Sequence, residues 1–242
     1  MRFSNPDESG NPIDFLVKYL GYSFTAAVSA LAVSWSDPIP DGLLTEPAIR
    51  KEEPAVFPTR ASRPYKRVYS YLTQTRSIDP GIVNALIRTG LLYQDSPYGN
   101  AVFINHARTY CELRGTLSNV RYHRNIRSLK GAMWWFKAGT GIPSTVYICE
   151  GAIDAISLYE LMTIRNERPG PSIFCSIGGV GNQETIENIR RNGPYRVILA
   201  VDNDNAGETC RMVNAHLESL IPERKDWNDD LRLLKAGENP IG

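Results

Sequence analysis

The sequence predicts an α/β fold, a mainly parallel sheet flanked by helices, preceded by a small α+β domain and a short helical segment at the N-terminus. Three observations predict it. From residue 145 onward, apolar runs of strand length alternate with helically spaced stretches, at 146–149, 153–164, 172–176, 183–191, 196–201 and 206–220, and a last helix falls at about 228–236. Such alternation is the pattern of strands joined by covering helices. The strand candidates are continuous apolar runs, as expected of strands buried on both faces. Two of them also end in acids. Val146-Tyr147-Ile148-Cys149 runs into Glu150-Gly151, and Val197-Ile198-Leu199-Ala200-Val201 runs into Asp202-Asn203-Asp204.

Ahead of this alternation, residues 65–75 and 80–89 have helical spacing. Asp79 offers an N-cap with Pro80 at the first helical position, and Gly90 supplies the stop. Short strands are predicted at 101–105, 110–114 and 132–136, separated by a basic loop, and together they should form an antiparallel lead-in sheet. Earlier still, Pro38, Pro40, Pro47, Pro54, Pro58 and Pro64 stand among charged residues, which removes amide donors and reads as a linker. Two short helices, 13–20 and 24–33, are broken at Gly21. The predicted organisation is therefore an N-terminal segment over 1–35, a proline-rich linker over 36–64, an α+β domain over 65–143 and the α/β domain over 144–242.

With 242 residues the chain has room for one large or two small domains. Its 27 Lys and Arg nearly balance its 26 Asp and Glu, so a polyanionic partner must be held by a local patch. Cys111, Cys149, Cys175 and Cys210 are scattered singly, without the close pairs of a structural zinc or redox motif, and read as reduced thiols. No zinc is expected. No apolar run approaches the roughly 20 residues of a membrane span, and the start lacks the apolar core of a secretory signal. These features predict a soluble, cytoplasmic chain with no membrane partner.

The acids carry the chemistry. In open α/β sheets ligands bind at the carboxyl ends of strands, so Glu150, Asp202 and Asp204 can converge although they lie far apart in sequence. Carboxylates brought together raise one another's pKa, and a bound Mg²⁺ reverses that preference. Each piece also has an ordinary explanation, since a Glu-Gly after a strand is common loop chemistry and Asp202 could simply be the N-cap of the next helix. Their ordered combination favours metal binding. Gly178-Gly179-Val180-Gly181, between the two motifs, could cradle a phosphate, but the better reading is a tight strand-to-helix turn.

Glu150-Gly151 and Asp202-Asn203-Asp204 together resemble the Toprim pattern, the metal-binding fold shared by bacterial primases, type IA and type II topoisomerases and some nucleases. Glu150-Gly151-Ala152-Ile153-Asp154 is similar to the primase form of the first motif, with Asp154 one helical turn further on. Lys225-Asp226-Trp227-Asn228-Asp229 resembles the third primase motif, Asp-x-Asp, with Asn228 standing where the second acid belongs. The region from about 65 to 136, including Leu113-Arg114-Gly115-Thr116, is similar to an uncharacterised domain fused ahead of Toprim in proteins of plasmids and integrative elements. Residues 13–24 resemble the tail of a primase zinc-finger domain whose ligands are missing, so the chain is expected to begin inside that module, as a truncation or a degenerate relative.

The resemblance implies a primase-like nucleotidyltransferase of a mobile element. Glu150, Asp202 and Asp204 would hold Mg²⁺, or Mn²⁺ in its place, while Asp154 and Asp226 orient waters or bind a second ion. Single-stranded DNA and nucleoside triphosphates are the implied substrates, and a helicase or relaxase the implied protein partner. Arg121, His123, Arg124, Arg127 and Lys130, with Tyr122 interleaved and Trp134 and Trp135 following, could neutralise phosphates and stack on unpaired bases, unless they form a solvated loop beside core tryptophans. Arg60, Arg63, Lys66 and Arg67 form a weaker basic cluster. Arg114 and Lys225 are candidates for clamping a triphosphate beside the acids. Two alternatives remain open: a Toprim nuclease in which water attacks, and a non-catalytic nucleic-acid-binding accessory of plasmid replication or transfer. A type IA topoisomerase would need a further domain carrying a tyrosine nucleophile.

Overall fold

The computed structural model of the protein describes residues 55–117, 121–167, 170–191, 193 and 195–237. The chain divides into two compact units, Met1–Glu53 and Pro54–Gly242, of which the second is described here. The helices predicted at 13–20 and 24–33, the resemblance to a zinc-finger tail and most of the linker lie outside the described residues.

The described unit opens with a helix, α1 (Lys66–Ser70), that continues as a π-helical turn over Tyr71–Thr75, followed by α2 (Pro80–Arg88). The Asp79 carboxylate accepts from the amides of Gly81 and Ile82, and so caps α2 as its sequence predicts. Four strands then form an antiparallel sheet in sequential order: β1 (Leu92–Gln94), β2 (Ala101–Ile104), β3 (Tyr110–Arg114) and β4 (His123–Arg127). Residues 58–61, at the end of the proline-rich stretch, lie against this sheet. Arg60 bridges to Asp95, the Ala61 amide donates to the Gln94 carbonyl, and the Tyr93 hydroxyl donates to the Pro58 carbonyl.

The second sheet has the order β5-β7-β6-β8-β9, with β5 (Trp134–Ala138), β6 (Thr145–Cys149), β7 (Ser172–Ser176), β8 (Arg196–Leu199) and β9 (Glu218–Ser219). All its pairings are parallel except β5 with β7. Helices α3 (Ala152–Ile164), α4 (Gln183–Arg191), α5 (Asn205–Val213) and α6 (Trp227–Lys235) complete the alternation. Because side chains alternate along a strand, each apolar run feeds two cores at once. Tyr147, Cys149, Phe174, Ile198 and Ala200 face a core shared with α3, α6, α2 and the antiparallel sheet. Val146, Ile148, Cys175, Val197, Leu199 and Val201 face a second core closed by Ile186 and Ile189 of α4 and Cys210 of α5. In the first core Phe174 stacks between Tyr147 and Phe136, at centroid distances of 4.8 and 5.5 Å. A fully buried ring of this size contributes about 1.5–3 kcal/mol to that sheet's core, and the ring contact between the two sheets is Phe103 of β2 edge-on to Trp134 of β5, with centroids 5.5 Å apart.

Three predicted elements need correction. The strand predicted at 132–136 does not join the lead-in sheet. As β5 it pairs with β7, because Trp134, Phe136 and Ala138 point alternately into the aromatic core. The basic loop is instead strand β4, the edge of the antiparallel sheet. The helix predicted over 206–220 ends at Val213, where Asn214 turns out of helical geometry and its side chain donates to the Cys210 carbonyl and to Gln183. The chain then returns to the sheet as β9. Among the described residues, no helix is long and apolar enough to cross a membrane.

Candidate functional site

The two acid-bearing strands are neighbours. β6 and β8 run parallel with Ile148 opposite Leu199, and the Ala200 amide donates to the Ile148 carbonyl at 2.8 Å. Glu150 and Asp202 therefore emerge side by side at the carboxyl edge of the sheet. β7 lies on the other side of β6, and Ser176 at its end brings its hydroxyl oxygen to 3.2 Å from the Glu150 carbonyl.

Local chemistry fixes each acid. The amides of Gly178 and Gly179 both donate to the Glu150 carbonyl, and these glycines take φ of +69° and +110°. Their donors are thus engaged by the turn, which is why this glycine cluster shapes the backbone instead of presenting a free phosphate cradle. Asp204, not Asp202, caps the following helix by accepting from the Gly207 amide. Among the described residues, Asp202 is left with a buried Oδ1 that has no hydrogen-bond partner. Gly207 presses against it from behind: a Cβ there would stand 1.9 Å from the Asp202 carbonyl oxygen. Arg211 donates to the same carbonyl. Asp226 caps α6 by accepting from the Asp229 amide.

The acids feel one another. Burial and then the neighbouring Glu150, Asp226 and Asp204 push the Asp202 carboxyl up to about 7, against the opposing charge of Lys225. Burial and then Asp204 raise Glu150, with Arg114 and Lys225 opposing. Asp154, in the first turn of α3 and nearly buried, is held well above the usual carboxylate range by burial first and then by Asp202 and Asp226. A fully buried Cys149 thiol is likewise pushed up, which leaves the carboxylates as the anionic donors here.

A hard divalent cation fits this set. Oxygen donors select Mg²⁺ or Mn²⁺, and a cation would give the orphaned Asp202 oxygen its missing partner. Among the described residues, no three carboxylates, imidazoles or thiols stand close enough to form a finished cage. Any Mg²⁺ held here would therefore have to keep several of its waters. Glu150, Asp202 and Asp204 are the residues that would hold it.

Two functional neighbours escape the sequence reading. Glu112, in the middle of β3, is fully buried and reaches across to the first acidic motif. Its Oε2 accepts from the Ala152 amide at 2.9 Å and the Ser176 hydroxyl at 2.8 Å, while its Oε1 accepts from Arg114 Nε at 2.7 Å. Glu112 thereby ties the antiparallel sheet to the turn that presents Glu150, and it aims Arg114 past Gly151 toward Asp154. Gly207 is the other. A signal for Glu112 exists in the sequence: an acid at an inward position of an apolar strand needs a buried partner.

The remaining candidates separate. Arg127 is a structural strut, donating to the carbonyls of Ala132 and Ile177 and to Asn182 while lying over Tyr110. Lys130 pairs with Glu184 on the surface. Trp134 is core, its Nε1 donating to the Leu91 carbonyl, whereas Trp135 is partly exposed. Burial and then Arg114 push the His123 imidazole down. Arg121 and Lys225 are exposed, and Arg124 lines a surface cleft. Asn228 is buried and donates to the Arg76 carbonyl and the Ser157 hydroxyl, so it is a packing residue and no metal ligand.

Residues 147–231 match the family model described as Toprim-like, and residues 70–142 match that of a protein family of unknown function, DUF3991. The chain carries a Toprim-like domain with a DUF3991 domain ahead of it. An uncharacterized protein of Bacillus anthracis, pXO2-78, is 28% identical over 180 residues, 68% of this chain and 49% of that protein. The chain thus spans about half the length of this curated relative. Among solved structures, the primase fragment of the bacteriophage T7 primase-helicase protein superposes with a TM-score of 0.48 at 17% identity, covering 78% of this chain and 80% of that one. The primase domains of gp4 in a T7 lagging-strand polymerase structure, bound to an RNA/DNA hybrid and dTTP, give 0.46 at 16% identity, covering 68% and 84%. These two likenesses concern the path of the chain alone.

Proposed function

We propose that the protein is a primase-like nucleotidyltransferase acting on single-stranded DNA with nucleoside triphosphates. The observation that carries this reading is the pair of acids on adjacent parallel strand ends, with one buried Asp202 oxygen lacking any protein partner. In the reaction, a terminal sugar hydroxyl attacks the α-phosphorus of a nucleotide. An O–P bond forms as the bond to the bridging oxygen breaks, pyrophosphate leaves, and the hydroxyl proton passes to solvent. A divalent ion at Glu150, Asp202 and Asp204 would lower the hydroxyl's pKa and stabilise the leaving pyrophosphate.

The protein's own groups do the rest. In this reading Asp154 and Asp226 adjust the charge around Glu150 and Asp202 and orient water, and Arg114 and Lys225, whose charges already act on Glu150, supply counter-charge to a triphosphate. A mobile-element setting, with a helicase or relaxase as partner, belongs to the same proposal and is supported by the resemblance of the paired domains.

The test is a primer-synthesis assay on single-stranded templates run beside a nicking assay, with wild type and Glu150→Gln. Labelled ribonucleotide incorporation that requires Mg²⁺ and disappears in the variant supports the proposal. Nicking that disappears instead assigns the same acids to a nuclease. Intact DNA binding with neither activity assigns the chain to an accessory role.

A further inference from the structure

A cleft of about 580 Å³ opens at the end of the β3–β4 hairpin, lined by Arg67, Tyr98, Asn100, Leu117, Tyr122 and Arg124 among others. Its size lies in the range of small-ligand sites. Tyr98 is 71% exposed, Leu117 52% and Tyr122 38%, so two aromatic rings and an aliphatic side chain stand open to solvent around one hollow. Among the described residues, neither the Arg67 nor the Arg124 guanidinium forms an ion pair, unlike Arg114, Arg165, Arg190, Arg191, Arg196 and Arg232.

The walls are braced. The Asp95 carboxylate accepts from the amides of Tyr98 and Asn100 and from the Asn100 side chain, which fixes the turn that carries Tyr98. Thr116 donates its hydroxyl to the Gly99 carbonyl, which ties the end of β3 to that turn. Gly99 adopts φ of +72°, and a Cβ there would stand 2.7 Å from the Arg67 guanidinium, so glycine leaves room for the arginine to lie along the wall. The Gly115 amide donates to the Tyr122 carbonyl and holds the opposite wall. Cleft-lining Gly115 directly follows Arg114, whose guanidinium borders Gly151 and the acids.

We propose that this cleft, formed by residues of the DUF3991 match together with Arg67 just ahead of it, seats an unpaired nucleobase and its phosphate from a single strand of nucleic acid. Rings with open faces stack on bases whatever their sequence, and unpaired guanidiniums take the phosphate charge. A strand seated there would pass Arg114 on its way to Glu150. The assignment rests on the proposed function in taking the ligand to be the template strand, but the cleft itself needs no divalent ion.

The experiment is fluorescence anisotropy of a labelled oligothymidylate with the full chain in EDTA, so that loss of the metal-dependent reaction cannot change the readout. Tyr98→Ala and Tyr122→Ala should each weaken binding about tenfold, and Tyr98→Phe and Tyr122→Phe should retain it, since stacking needs the ring and not the hydroxyl. Arg67→Ala and Arg124→Ala should weaken binding and flatten its salt dependence by about one phosphate's worth each. Thermal melts confirm folding, which exposed Tyr98 cannot greatly affect. Wild-type affinity in both tyrosine-to-alanine variants overturns the proposal. So does displacement of the oligonucleotide by free dTTP at equal concentration, which would assign the cleft to a mononucleotide. Tyrosine-dependent binding in a protein that makes no primers leaves the cleft in place and removes the nucleotidyltransferase reading alone.

Discussion

Asp202→Asn should stabilise the metal-free protein above neutral pH. In the unfolded chain this carboxyl ionises at its ordinary value of 3.8, and in the folded protein at about 7. Between those values the native state holds a proton that the unfolded state has lost, so stability falls as pH rises from about 4 to 7 and then levels off. Moving a carboxyl that far corresponds to about 4 kcal/mol of differential interaction between its protonation states. Its partial exposure to solvent reduces this to about 2 kcal/mol. The isosteric amide has no such slope. At pH 8 in EDTA the variant should therefore melt about 4–8 °C above wild type, and near pH 4 the two should coincide. Mg²⁺ at a hundredfold excess over its Kd should return about 2.7 kcal/mol to wild type and much less to the variant. Differential scanning calorimetry across pH 4–8, with and without Mg²⁺, measures all of this. A variant that melts at or below wild type at pH 8 in EDTA would refute the idea that the acids strain one another.

Other consequences follow from single contacts. Glu112→Gln should cost about 3 kcal/mol, seen in the urea midpoint, because it removes the buried charge facing Arg114, and its single amide oxygen can accept either from Arg114 or from the Ala152 amide and Ser176 hydroxyl but not from both sides. An unchanged midpoint would mean that the junction between the two sheets does not depend on it. Gly207→Ala should cost about 1–3 kcal/mol and weaken Mg²⁺ binding, since its Cβ must displace the Asp202 backbone. Asn228→Asp should destabilise by about 1–3 kcal/mol through loss of its donations to Arg76 and Ser157, with no gain in metal affinity. A tighter Mg²⁺ isotherm in that variant would show that an acid at position 228 can join the ligand set.

The parallel half of the molecule is legible in the sequence because its strands are buried on both faces and so read as unbroken apolar runs. Val146–Cys149 and Val197–Leu199 needed no partner to be recognised, and the acids after them were legible for the same reason. β4 was not. His123-Arg124-Asn125-Ile126-Arg127 lies at a sheet edge with its first two residues exposed, so no apolar period marks it as a strand. β5 reads as a strand from Trp134, Phe136 and Ala138, but its choice of β7 as partner is set by ring packing far away in sequence. The end of α5 at Val213 depends on Asn214 finding Gln183, another long-range contact. Within the site, Asp202 and Asp204 exchange the roles that propensity alone suggests: the second caps a helix and the first keeps a free buried oxygen. Glu112 stayed hidden because its partners are the Ala152 amide and Ser176, at the start of α3 and the end of β7, far away in sequence.

The central claim is that acids from two adjacent strand ends share one divalent ion. Isothermal titration of Mg²⁺ into the protein at pH 8, with Glu150→Gln and Asp202→Asn alongside, tests it most directly. The account predicts one saturable event in wild type and its loss or a drop of at least about tenfold in affinity in each single variant, a change of about 1.4 kcal/mol or more. Equal isotherms for wild type and both variants would contradict it.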